Sequence, residues 1–258
     1  MLRFKSLSSG SSGNATLVEA GSSLTRTRLL IDCGLGPRQL DQRLGRAGLA
    51  IQQIDAIFIT HEHADHIGSA CAVALKHGIP IWMSRGTHRA LGEPELHGLL
   101  RLARDQTDIE IKDLRIRPFT VPHDAREPLQ LCCSDGDVIL GVLTDLGHAS
   151  SHVLRQLSAC HALLLECNHD RDMLAASSYP PFLKKRVGGD FGHLANPAAA
   201  EILRAVAHHG LRRVVAAHLS EQNNRPELAQ AALAEALNCQ PAEIGVALAR
   251  VGTEWMDV

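Results

Sequence analysis

Apolar residues along this chain fall into short runs broken by polar, glycine or proline positions, with two periodicities. Strand-length runs rich in Val, Ile and Leu predict strands at 15–19, 28–32, 56–60, 79–83, 109–111, 115–121, 138–144, 162–166, 213–218 and 247–251. Apolar spacings of three and four predict helices at 37–45, 68–77, 89–102, 196–207 and 225–237. Asn196-Pro197 reads as a helix N-cap with proline in the first turn, and His209-Gly210 as the matching stop. The early chain is strand-rich with one short helix, and strands and helices mix afterwards. Two face-to-face sheets with helices outside, or one mixed α/β sheet, would both satisfy this order. With no repeat and no low-complexity linker, a single domain over 1–258 is expected.

Composition narrows the classes. The 258 residues carry 26 Lys+Arg and 28 Asp+Glu, a formal charge of −2, with 45% hydrophobic residues. Collagen-like, disordered and broadly nucleic-acid-coating proteins are thereby excluded, and an anionic partner must be met by a local basic patch. No run approaches the ~18 apolar residues that cross a bilayer, and the first ten residues contain no signal-like apolar core. A cytoplasmic protein without membrane contact is the expectation. Seven cysteines with no C-x-x-C pair suit buried, reduced thiols. The 15 histidines are the most unusual feature.

Their distribution carries the chemistry. Thr60-His61-Glu62-His63-Ala64-Asp65-His66 follows an apolar strand. His61, His63, Asp65 and His66 do not share the three-and-four spacing of one helix face, so a loop at the strand's carboxyl end must present them. Imidazole and carboxylate donors suit zinc, iron or manganese, and two ions could share such a cluster. This is not the helical H-E-x-x-H zinc signature, because Asp65 stands where its second histidine would be. Three later apolar runs also end in a donor: His123, Asp145 and His218. Each alone would read as a capping or satisfied polar residue; together they build a metal site along one sheet edge.

The HxHxDH motif with later His, Asp and His resembles the metallo-β-lactamase superfamily. More narrowly, Ser8-Ser-Gly-Ser-Ser-Gly-Asn14, Asp32-Cys-Gly34, Thr144-Asp-Leu-Gly147, Glu166-Cys-Asn-His-Asp170, Gly192-His-Leu-Ala-Asn196 and His218-Leu-Ser-Glu-Gln-Asn-Asn224 resemble its YycJ/WalJ-type, exonuclease-like branch, related to ribonuclease Z and the β-CASP nucleases. The likeness spans roughly residues 1–225. It implies an αββα sandwich of two mixed β-sheets with helices on the outer faces. It further implies two divalent ions, zinc or manganese. His61, His63 and His123 would hold one, Asp65, His66 and His218 the other, with Asp145 bridging. Two cations close together lower the pKa of a shared water and stabilise charge on a transferring phosphoryl group.

Such a centre could hydrolyse lactams, thioesters, lactones or phosphodiesters. An aspartate at 145 resembles the phosphodiesterase and thioesterase branches, whereas many β-lactamases of the superfamily carry cysteine there. Val121-Pro-His-Asp-Ala125 lacks the Gly-His-Thr or Gly-His-Ser of glyoxalase II-like members. His193, on a glycine-bearing segment after Lys184-Lys-Arg186, suits protonation of a leaving alkoxide. In ribonuclease Z-like enzymes such a histidine pairs with a carboxylate, and Glu166 is the candidate here. Asp65, His193 and Glu166 are thus the catalytic candidates. Ser11 and Asn14 of the glycine-permitted turn, Lys185 of the basic run and Asn224 are the substrate-contact candidates. His169 could orient a ligand or its loop. The expectation is a dinuclear phosphodiesterase on DNA or RNA, 5′-3′ exonuclease-like. The alternatives are a thioesterase, lactonase or β-lactamase using the same ions, or a metal-stabilised scaffold.

Overall fold

The computed structural model describes residues 1–22 and 24–258. The strands are β1 (Leu2–Ser8), β2 (Ala15–Gly21), β3 (Arg26–Ile31), β4 (Ala56–Phe58), β5 (Ile81–Ser84), β6 (Leu100–Ala103), β7 (Ile109–Ile111), β8 (Leu114–Thr120), β9 (Leu129–Ser134), β10 (Ile139–Leu143), β11 (Ala162–Glu166), β12 (Arg213–Ala217), β13 (Gly245–Val246) and β14 (Met256–Asp257). They form two seven-stranded sheets, ordered β14-β1-β2-β3-β4-β5-β6 and β13-β12-β11-β10-β9-β8-β7. Both are mixed: β1, β2 and β3 pair antiparallel, while β3 through β6 run parallel. In the second sheet β7 through β10 are antiparallel and β10 through β13 parallel.

Alternation along the strands sorts side chains into three apolar layers. Leu29 and Ile31 of β3 join Phe4, Phe58, Leu131, Val142 and Leu164 between the sheets. Leu30, one residue out of phase, packs outward against α1 (Pro37–Arg46), which contributes Leu40 and Leu44. Two further helices, α2 (Ala64–Ile67) and α3 (Ala70–His77), follow β4, and α4 (Arg85–Ala90) follows β5. Leu163 and Leu165 of β11 likewise face away from Leu164, towards α5 (Ser151–Leu157) and, beyond α6 (Arg171–Ala176) and α7 (Pro181–Val187), α8 (Asn196–Val206) and α9 (Pro226–Leu237). The result is the αββα sandwich. Among the described residues no helix is long and apolar enough to cross a membrane.

Several expectations need correction. The segment 89–102 is not a helix: α4 ends at Ala90, Gly92 and Glu93 take positive φ, Pro94 follows, and Leu100–Ala103 is an edge strand. Its leucines imitate a helical period, but proline and the left-handed turn prevent continuation. The segment 247–251 is a turn closed by a Leu248–Gly252 bridge, and β13 and β14 close the sheets instead. Asn196 does not cap α8: Ala195 is the N-cap, and the helix stops at Val206, before His209. The short helices α5, α6 and α7 and the strand β9 were not foreseen; α7 buries no side chain and so shows no apolar period.

Candidate metal centre

Strand ends bring the donors together. Asp32 directly follows β3, Asp145 lies two residues past β10, and His218 directly follows β12. All three are non-glycine residues with positive φ, of 59°, 54° and 53°. Left-handed backbone is uncommon outside glycine, although Asp and His tolerate it better than most. Here it turns the chain sharply at the sheet edge and aims each side chain inward. The histidine-rich motif is presented partly as expected: His61, Glu62 and His63 are loop, but Asp65 and His66 lie in the single turn α2, with His63 as its N-cap.

His61, His63 and His123 can place one ligand atom each within 4.8 Å of one another, as can Asp65, His66 and His218, and His61, His66 and Asp145. His61, His66, Asp145 and His218 are all buried. Second partners fix the ring orientations. His66 Nδ1 donates to Asp32 at 2.7 Å, and His61 Nδ1 donates to Thr60 Oγ1 at 3.0 Å. The Thr60 hydroxyl in turn donates to Asp32 at 3.0 Å, so one carboxylate orients two imidazoles. His123 Nδ1 donates to the Gly192 carbonyl at 3.0 Å and His218 Nδ1 to Glu166 at 3.0 Å. These bonds leave the Nε2 atoms facing one another, while His63 turns its Nδ1 inward, 3.3 Å from His123 Nε2.

This donor set suits divalent cations, and three atoms test the fit. His61 Nε2, His218 Nε2 and Asp145 Oδ2 are buried without a hydrogen-bond partner. A buried polar atom left unpaired costs about 1–3 kcal/mol, so three in one cluster mark a place built for a cation. Burial pushes the His61 pKa well below its usual value, keeping its ring neutral. Burial opposes charge on His66 too, but Asp145 and Asp32 override it and raise that pKa well above normal. Against burial, the surrounding imidazoles hold Asp145 well below the carboxylate range. Ionised Asp145 beside the neutral His61 ring is what a hard-to-borderline cation requires, and a bound cation would take the place of the proton that Asp145 and Asp32 stabilise on His66.

Glu166 organises the opposite side. Its Oε2 accepts the Leu146 and Leu194 backbone N–H groups, each at 3.1 Å. Its Oε1 lies 2.8 Å from His193 Nδ1 and 3.0 Å from His218 Nδ1. Burial disfavours its charge, but His193 outweighs this and brings the Glu166 pKa down to about 2. His193 is raised in turn, the Glu166 carboxylate outweighing the effect of burial. A cleft of about 370 Å³ opens onto these groups, lined among others by His63, Asp65, Asp145, His193 and His218.

The remaining sequence candidates divide. Ser11 lines the cleft. Asn14 is buried beneath it, its amide donating to Asp65 Oδ2 at 3.2 Å and lying 3.0 Å from His66 Nε2. Lys185 is exposed on α7 and does not line the cleft. Asn224 is buried and paired both ways with the Asn196 amide, at 2.9 and 2.8 Å, which keeps it from the cleft. His169 is buried against the backbone of Leu194 rather than against a candidate ligand. Sequence reasoning missed Asp32, although an aspartate ending an apolar run was the very signal used for Asp145. It also missed Asp124, which lines the cleft and pairs with Arg186 at 2.6 Å.

Comparison with known proteins follows from this geometry. The family model described as the metallo-beta-lactamase superfamily matches residues 9–163. The chain is 31% identical over 243 residues to exodeoxyribonuclease YycJ of Bacillus anthracis, covering 92% of this chain and 89% of that protein. It is 30% identical over 252 residues to exodeoxyribonuclease WalJ of Streptococcus pneumoniae, covering 95% and 90%. Among solved structures, the metallo-beta-lactamase fold protein YhfI from Bacillus subtilis superposes with a TM-score of 0.76 at 16% identity, covering 99% of this chain and 98% of that one. Human tRNase Z, short form, gives 0.66 at 16% identity, covering 100% and 99%; these two likenesses establish the fold.

Proposed function

Because the chain belongs to the metallo-β-lactamase superfamily, and within it to the YycJ/WalJ-type branch, we propose that it is a metal-dependent nuclease that removes nucleotides from DNA, working from a 5′ end. The observation that carries the choice is His193 held at 2.8 Å by Glu166 in the wall of the same cleft as the cation-ready cluster. An alkoxide is a poor leaving group and needs a proton donor, whereas the thiolate released from a thioester leaves without one. Two relatives bearing exodeoxyribonuclease names, matched over 89% and 90% of their length, support the same reading. The small-molecule alternative is not favoured.

In this reading His61, His63 and His123 would hold one divalent ion, zinc or manganese, and Asp65, His66 and His218 a second, with Asp145 as a ligand available to both. Divalent cations there would supply a nucleophilic water at neutral pH and offset charge on the phosphoryl oxygens. The chain's own groups do the rest. Asp32 and Thr60 hold the rings of His66 and His61 in place. Glu166 keeps the proton of His193 on Nδ1 and stabilises its charged form, so that Nε2–H protonates the departing oxygen. Arg186, tethered by Asp124 at the cleft wall, neutralises a substrate phosphate. We read 1–258 as one catalytic domain, supported by the pairing of β14 with β1.

The test incubates protein loaded with zinc or manganese with 5′- and 3′-end-labelled DNA, bis(p-nitrophenyl) phosphate, S-lactoylglutathione and nitrocefin. Turnover of DNA and the small phosphodiester is expected, with label released first from the 5′ end. Asp65→Ala should abolish that turnover and lower metal content while leaving the circular dichroism spectrum unchanged. Cleavage of the thioester or lactam alone would sink the nuclease reading.

A further inference from the structure

The chain contains only eight Phe, Trp and Tyr residues in 258, and their placement is uneven. Phe4, Phe58 and Phe119 are fully buried, but Phe182 and Phe191 are 73% and 59% exposed. Both belong, with Tyr179, to one stretch of thirteen residues that forms a wall of the cleft. Phe182 sits in α7, whose residues Leu183, Arg186 and Val187 line the cleft although the helix buries no side chain. Arg186 is one helical turn beyond Phe182, so the two project from the same side of α7. Phe191 directly precedes the lining residues Gly192 and His193, and its carbonyl accepts the Asp124 N–H at 2.9 Å. Its ring meets His148 edge-on with centroids 6.4 Å apart.

Core packing does not account for two rings this exposed, and among the described residues neither belongs to one of the three apolar clusters. Resting on the nuclease reading above, we propose that Phe182 and Phe191 form a stacking shelf for unpaired bases of the substrate strand next to the scissile phosphate. At about 370 Å³ the cleft lies at the small end of ligand sites and admits a nucleotide-sized group, not a duplex. A strand whose phosphate reaches the buried cluster must therefore be single there, and its neighbouring bases have lost both pairing and stacking. Exposed aromatic rings at Phe182 and Phe191, each next in sequence to a residue that lines the cleft, would restore the stacking for any base. The adjacent Lys184-Lys185-Arg186 run supplies the complementary charge for the strand's phosphates. The substrate class follows: single-stranded ends, or duplex ends that fray to expose several unpaired nucleotides.

The experiment compares the metal-loaded full-length wild type with the Phe182→Ala/Phe191→Ala double variant and a Phe182→Trp/Phe191→Trp variant. Substrates are a twelve-nucleotide single-stranded thymidine oligomer and the p-nitrophenyl ester of thymidine 5′-monophosphate, which has no neighbouring base to stack. The alanine variant should raise the oligomer KM by about ten-fold or more, while the tryptophan variant stays within about two-fold of wild type. The KM for the ester should move by less than about two-fold in both. An unchanged oligomer KM in the alanine variant overturns the shelf, as does an equal loss on the ester, which would mean a distorted centre. If the wild type cleaves the oligomer but the variants match it, only the shelf fails. If the wild type neither binds nor cleaves the oligomer, the nuclease reading fails and takes the shelf with it.

Discussion

At Glu166 two backbone N–H groups and two imidazoles converge on one buried carboxylate. Its orientation is therefore fixed from all sides, and with it that of His193. Removing the imidazole should leave the cation cluster intact but take away the proton donor. For His193→Ala, metal content should be unchanged and kcat on DNA should fall by roughly 10²–10⁴-fold, with a smaller loss on the activated bis(p-nitrophenyl) ester. Equal losses on both substrates would argue against a proton-donor role. His169 makes a different prediction, about stability. It is buried, its Nδ1 has no hydrogen-bond partner, and burial lowers its pKa from 6.5 to about 4. As pH falls the unfolded chain takes up this proton first, so the contribution to stability is complete above 6.5 and lost on descent through about 4. The window corresponds to about 3 kcal/mol. Urea unfolding at pH 7 and pH 4.5 should show a smaller loss for His169→Gln than for wild type, and identical losses would refute this account.

At the scale of elements, the site depends on three segments laced together behind it. Asn14 N donates to Asp65 O at 2.7 Å, Gly34 N to Asn14 O at 2.9 Å, and Cys33 N to His66 O at 2.8 Å. The turn after β1, the turn after β3 and α2 are thus one backbone network, and Asp65 and His66 inherit their positions from it. Gly34 is the closest approach: a Cβ there would overlap the Asp65 carbonyl and crowd Asn14 N. Backbone cannot swing aside as a flexible side chain can. Gly34→Ala is therefore expected to destabilise by about 1–3 kcal/mol or more and to weaken metal uptake, read by thermal unfolding and by metal content after dialysis. A variant with wild-type melting and wild-type metal content would show that the segment has slack.

At the scale of the whole molecule, both sheets end at the same edge, and the donors come from either sheet. His61, His63, Asp65 and His66 follow β4 of the first, whereas His123, Asp145 and His218 follow β8, β10 and β12 of the second. A cation held by His61, His63 and His123, or by Asp65, His66 and His218, would draw ligands from both sheets and tie them together, and the folded state alone offers that arrangement. At one hundred times its dissociation constant, one ion should add about 2.7 kcal/mol, raising Tm by about 5–10 °C for a chain of this size. Differential scanning calorimetry with EDTA, then with zinc or manganese restored, measures this. An unchanged Tm would mean that the cluster does not bind cations in the folded protein.

The donors were legible in the residues themselves because metal ligation demands particular side chains, and strands that end in His or Asp advertise them one at a time. The unbroken apolar runs of β3 and β11 were likewise legible as strands, because run length is a local property, whereas the face each leucine takes was settled by the two packed sheets. The burial of Asn224, the absence of Lys185 from the cleft and the oriented pair formed by Asp32 and Thr60 were decided by packing. So were the left-handed turns at Asp32, Asp145 and His218, and the conversion of 89–102 from apparent helix to edge strand. Local pattern reports what a residue can do and how its neighbours are spaced. Which atoms finally meet depends on contacts between positions far apart in the chain, and only the closed sandwich supplies those.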